Sequence, residues 1–171
     1  MKWWTDSLLD ELLAEDAPYG DLTTTGLGIE GAPARLSMAM RADSTLCGVE
    51  LAADLFRKAG ATAEVLAKSG ARVQAGGQVL SASGEAGPIL VAWKVAQTLV
   101  EYLSGIATAT SEIVDAARAV DPTVAVVTTR KTFPGSKRMM IAAIRAGGAM
   151  PHRLGLSETV LVFPEHQVFL A

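Results

Sequence analysis

The spacing of apolar residues changes character partway along this chain. Between residues 6 and 15, Leu8, Leu9, Leu12 and Leu13 recur at helical spacing, with Thr5 or Asp6 placed to cap the helix. Ala17-Pro18-Tyr19-Gly20 ends it, and residues 21–25 read as a polar loop. Residues 35–41 alternate apolar and polar side chains, predicting a strand with one buried face. Gly48 introduces a helix over 49–59, with Leu51, Leu55 and Phe56 inward, and Gly60 closes it. Residues 63–68, 72–74 and 78–83 are short strand candidates separated by glycine turns, a spacing that predicts antiparallel hairpins. From Pro88 the period becomes helical through Tyr102. Ser104-Gly105 predicts a bend or break before a second helix, from about 107 to 120, which Asp121-Pro122 stops. A β-branched run over 123–128 predicts a buried strand, Ser136 opens a helix over 136–146, and 159–163 predicts a second strand. A strand–helix–strand series following a small α+β unit places the chain in the α/β class.

Composition narrows the class. Half of the 171 residues are hydrophobic, enough for a true core, and the net charge of −3 argues against a general nucleic-acid binder. The single cysteine, Cys47, excludes an intrachain disulfide framework and a cysteine-based zinc site. The N-terminus acquires acids early and lacks the apolar core of a signal peptide. The most apolar stretch, 89–103, is interrupted by Lys94, Gln97 and Glu101, so no membrane span and a cytoplasmic location are expected.

Charge is unevenly placed. Between Asp121 and Glu158 there are six Lys or Arg residues and no acid: Arg130, Lys131, Lys137, Arg138, Arg145 and Arg153. Arg130 and Lys131 stand where a strand ends and a helix begins, the edge at which α/β folds bind ligands. Alone they could be solvated surface charges; Pro134-Gly135 and the helix start beside them favour an anion pocket. His152-Arg153, on a loop after Gly147-Gly148, is a candidate ligand contact. Lys94, mid-helix among apolar neighbours, is either a snorkelling lysine or a cation presented across a subunit interface. No P-loop, dinucleotide-binding glycine motif or Gly-x-Ser-x-Gly elbow is present. Neither His152 nor His166 has a carboxylate or thiol at zinc-ligand spacing.

Several motifs resemble one family in order and spacing. Ser104-Gly105-Ile106-Ala107-Thr108, Thr129-Arg130-Lys131-Thr132-Phe133-Pro134-Gly135, Gly147-Gly148 and His152-Arg153-Leu154-Gly155-Leu156 resemble the quinolinate phosphoribosyltransferases of the NadC type. Glu15-Asp16 and Gly20 to Thr24 match that family's N-terminal region. Ala92 to Gln97, Glu101-Tyr102 and Ser157 to Phe163 resemble its ModD branch, pyrophosphorylases associated with molybdate transport genes.

The resemblance implies a type II phosphoribosyltransferase: an N-terminal α+β sandwich over 1–105, including a long linking helix, then the first part of an incomplete α/β barrel over 106–171. It implies a homodimer or higher homo-oligomer that transfers phosphoribose from phosphoribosyl pyrophosphate to a carboxylated aromatic base, quinolinate in the family, releasing pyrophosphate and CO2. It also implies Mg2+, with metal ligands outside this chain. By matching motif, Thr129, Arg130, Lys131, His152 and Arg153 line the substrate pocket, completed by Lys94 from a second subunit. Lys94 stands where the family usually has arginine, and Phe163 where its Lys-Asp-Asn-His block has a lysine; only His166 of that block remains. Losing a cation and gaining a ring implies an acceptor less anionic than quinolinate. The motifs cover only the first part of the family's length, so the expected alternative is a truncated, non-catalytic dimeric module for anion binding or assembly. Exposed strand edges would make either form self-associate.

Overall fold

The computed structural model describes residues 2–170. Helix α1, Asp6–Asp16, starts where the Thr5 hydroxyl accepts the Leu8 N–H at 3.3 Å. The expected polar loop after it is a second helix, α2, Leu22–Leu27. Asp21 makes the difference: its carboxylate accepts the N–H groups of Thr23 and Thr24 and the Thr24 hydroxyl, satisfying the first turn.

Strand β1, Pro33–Ala39, begins and ends two residues before the expected 35–41; Leu36 and Met38 turn inward as the alternation predicts, and Ala34 joins them. After strand β2, Ser44–Thr45, comes α3, Val49–Ala59, bounded by Gly48 and Gly60 at φ +87° and +109°. Next are β3, Thr62–Val65, β4, Arg72–Val73, and β5, Gln78–Glu85. The main sheet is antiparallel in the order β1-β5-β3, with Leu36 and Ala63 flanking Ala82. The predicted run of sequential hairpins is corrected here: β4 leaves the sheet and pairs with β2. Backbone bonds draw it away, Gly70 N–H to Leu46 at 2.7 Å and Leu46 N–H to Ala71 at 2.8 Å.

Helix α4 runs unbroken from Ala86 to Val120, so the expected break at Ser104-Gly105 does not occur. Ser104 is buried, and its hydroxyl accepts the Cys47 N–H at 3.0 Å and donates to the Cys47 carbonyl at 3.2 Å. Thr108 repeats the device, donating to the Ser104 carbonyl and accepting the Thr45 N–H at 2.9 Å. These polar side chains tie α4 to the β2 segment instead of interrupting the helix. By length and composition α4 could cross a bilayer. Its stripe of Ala92, Ala96, Val100, Leu103, Ala107 and Val114 is instead buried, as in a core helix packed on α3 and α5.

Beyond α4, β6, Val127–Thr128, pairs in parallel with β7, Met150–Pro151, across α5, Lys137–Ala146. Two expectations fail in this region. The strand over 123–128 shrinks to two residues, with Val124 and Val127 exposed. The run 159–163 is not a strand, and Val160 is 94% exposed before the short α6, Pro164–Gln167. Among the described residues β6 has one ladder partner and 159–163 has none, so β-propensity finds no sheet to complete.

Candidate functional site

The site is built by the parallel pair. Thr128 lies opposite Pro151, and the His152 N–H donates to the Thr128 carbonyl at 3.0 Å. Both chains therefore leave the sheet at their C-terminal ends side by side. Thr129, Arg130 and Lys131 follow one strand, His152 and Arg153 the other. The first loop is shaped locally: the Lys131 N–H donates to the Thr129 hydroxyl at 3.4 Å, and the Thr132 N–H to the Arg130 carbonyl at 3.0 Å. Gly135, at φ +84°, turns the chain into α5. The Ser136 hydroxyl donates back to the Phe133 carbonyl at 2.8 Å and makes no side-chain cap to the helix. The first turn of α5 presents Lys137 and Arg138 at that end.

Arg130, Lys131 and His152 are exposed; Arg153 is buried, at 7%. Its guanidinium donates to the Thr159 carbonyl at 3.2 Å, so one of its N–H groups braces the 154–159 loop. The Leu154 N–H is taken up by the Glu158 carboxylate, which closes the same loop. The sequence placed Thr128 at a strand end without giving it a site role; its hydroxyl is buried at the end of β6 and has no hydrogen-bond partner among the described residues. Its only signal was its place before Thr129-Arg130-Lys131.

Two predicted residues lie outside this group. Lys94 sits on α4 beside Leu12, Glu15 and Asp16, around a hollow of about 400 Å³. Its polar contacts stay within α4: 3.0 Å to the Gln97 side-chain oxygen and 4.0 Å to the centre of the Trp93 ring. Phe163 caps α6 and stacks on His166 with ring centres 5.8 Å apart, while its N–H donates to His166 Nδ1 at 3.0 Å. A larger groove, about 650 Å³, runs between β1 and α4 and is lined by Met38, Met40, Trp93, Gln97 and Glu101. Among the described residues no group of three or more His, Cys, Asp or Glu side chains could hold a metal ion.

A cationic, water-exposed edge lies on the C-terminal side of a parallel strand pair, the kind of edge at which α/β folds receive ligands. The comparisons make this specific. The family model "Quinolinate phosphoribosyl transferase, N-terminal domain" matches residues 21–104, and the corresponding C-terminal domain model matches 106–171. The chain is 43% identical over 164 residues to "Putative pyrophosphorylase ModD" of Rhodobacter capsulatus, covering 96% of this chain and 63% of that protein. It is 35% identical over 159 residues to the carboxylating nicotinate-nucleotide pyrophosphorylase of Mycobacterium leprae, covering 90% and 55%. Its fold superposes on NadC from Streptococcus pyogenes with a TM-score of 0.89 at 27% identity, covering 99% of this chain and 62% of that one. The chain belongs to the quinolinate phosphoribosyltransferase family, and it spans about three-fifths of the length of the ModD relatives it matches.

Proposed function

We propose that this chain supplies the N-terminal sandwich, residues 1–105, and the first barrel segment, 106–171, of a cytoplasmic phosphoribosyltransferase that acts as a homodimer. Its reaction joins the ring nitrogen of a carboxylated heterocycle to C1 of phosphoribosyl pyrophosphate. The nitrogen–carbon bond forms as the bond from C1 to the pyrophosphate oxygen breaks, and pyrophosphate leaves. The observation that carries this reading is the meeting of Thr129-Arg130-Lys131 with His152-Arg153 at the ends of β6 and β7.

Arginine grips a carboxylate through paired N–H groups, whereas lysine offers a point charge. Arg130 and Lys131 therefore bind and orient the acceptor's carboxylate, Thr129 and His152 supply hydrogen bonds, and Arg153 braces the loop that carries His152. Lys94 of a second copy completes the pocket. Mg2+ belongs to the family's chemistry, where it draws charge onto the leaving pyrophosphate. The described residues contain no cluster that fits it, and no step here depends on it.

Lys94 sets the acceptor class: one point charge in place of a fork favours a monocarboxylate. A protein of full family length should release pyrophosphate at least about tenfold faster with a pyridine monocarboxylate than with quinolinate. Quinolinate as the best acceptor would overturn the acceptor assignment. No pyrophosphate release with any carboxylated heterocycle would overturn the transferase reading.

A further inference from the structure

Lys94 is held in a specific way by its own helix. Its ammonium donates to the Gln97 side-chain oxygen at 3.0 Å, and the Gln97 side-chain nitrogen donates to the Glu101 carboxylate at 2.8 Å. Trp93 lies beneath it, with the ammonium 4.0 Å from the ring centre. The steps are three and four residues, which α-helical geometry places on one face. We propose that Trp93, Gln97 and Glu101 are positioning residues that hold Lys94 as a preset contact for a single carboxylate. This rests on the reading above, in which Lys94 of a second copy completes the acceptor pocket.

The relay has a polarity that matters. Glu101 accepts only, so it draws the amino side of the Gln97 amide and leaves the amide oxygen for Lys94. The acid thereby orients the lysine through a neutral group and does not pair with it. Among the described residues Lys94 has no ion-pair partner, although Glu15 and Asp16 share its hollow. Its charge remains available for an incoming anion. Trp93 is well suited as a support: it is 37% exposed, and it lines the groove beside Met38, Met40 and Val100. The ring face and the Gln97 oxygen occupy two sides of an ammonium that has three N–H groups. What remains of the ammonium can donate to an incoming carboxylate. Surface bonds of this spacing also stabilise helices in general. A merely structural relay would change melting temperature and leave ligand affinity and its coupling to Lys94 untouched.

The test is equilibrium binding of radiolabelled pyridine-3-carboxylate to the 171-residue chain and to Lys94→Ala, Gln97→Leu, Trp93→Phe, Arg130→Ala and the Lys94→Ala/Gln97→Leu double variant, each with its melting temperature. Lys94→Ala should weaken binding about tenfold and Gln97→Leu about threefold to tenfold, with the double variant no weaker than Lys94→Ala alone, the non-additivity expected of residues acting through one another. Trp93→Phe, which keeps a weaker ring face, should fall between wild type and Gln97→Leu. Wild-type affinity in Gln97→Leu, or additive losses in the double variant, would overturn the positioning role while leaving Lys94 as a contact. Wild-type affinity in Lys94→Ala, with loss in Arg130→Ala, would remove Lys94 from the pocket and the relay with it. If the wild-type chain shows no saturable binding, or Arg130→Ala binds as wild type does, the site reading itself has failed, and the relay's role falls with it.

Discussion

The two halves of this chain treat the same kinds of residue in opposite ways. In the first, Val79 and Leu80 are completely buried, because β5 is eight residues long and has a neighbour on each side. In the second, Val127 is 51% exposed and Val160 is 94% exposed, on a two-residue strand with one neighbour and on a segment with none among the described residues. The first core holds large side chains such as Phe56, Leu51 and Leu55 at zero exposure. The second is a small cluster of Cys47, Leu103, Ala107 and Ala143 that fastens α5 to α4. Stability and chemistry reside in different parts of the chain. A closed frame carries the folding energy, and an open edge hung from its long helix carries the charges.

Cutting into the frame should have the largest effect. Phe56→Ala removes a fully buried ring and should cost about 3–5 kcal/mol in urea unfolding. The joint between the halves comes next. A Cβ on Gly147 would stand 2.5 Å from the Ala107 carbonyl oxygen and 2.5 Å from the Thr110 Cβ, so Gly147→Ala forces α5 away from α4. We expect a loss of about 1–3 kcal/mol and weaker ligand binding, since α5 anchors the basic loop.

A smaller effect concerns acid. Partial burial pushes the Asp54 carboxyl up, but hydrogen bonds from Lys2, Trp4 and Arg57 outweigh this and hold it below the ordinary 3.8. A lowered folded value means that its contribution is complete above pH 3.8 and is lost as pH falls below that. Asp54→Asn should flatten the acid limb of the stability profile in that window; an unchanged limb would show that Asp54 is not one of its causes. Smallest of all is Val160→Thr, on the exposed segment, which should stay within about 0.5 kcal/mol of wild type. A loss near that of Phe56→Ala would mean that the second half is packed as the first is, and would erase the contrast.

Much of the frame was legible. Glycines at 48 and 60 marked α3 to the residue, and the alternation over 35–41 indicated a strand with one buried face, found as β1 two residues earlier. The failures share a cause: local signals were given local meanings where tertiary partners decided. Asp21 read as part of a loop and caps a helix. Ser104 read as a break and is a buried tie to Cys47. The run 159–163 read as a strand, but a strand exists only by its neighbours, and none of the described residues pairs with it. At the candidate site, motif order exposed residues 129–131 and 152–153. That they stand side by side required the pairing of Thr128 with Pro151. The Gln97 relay escaped notice because amide orientation cannot be read from spacing.

Everything proposed for this chain depends on the strand-end cations binding a carboxylate. Calorimetric titration of pyridine-3-carboxylate, with quinolinate in parallel, into the purified chain and its Arg130→Ala variant tests it most directly. The wild-type chain should give saturable heat, stronger for the monocarboxylate, and Arg130→Ala should bind at least about tenfold more weakly. Equal binding by the two proteins, or no binding of either carboxylate by a folded wild-type chain, would contradict it.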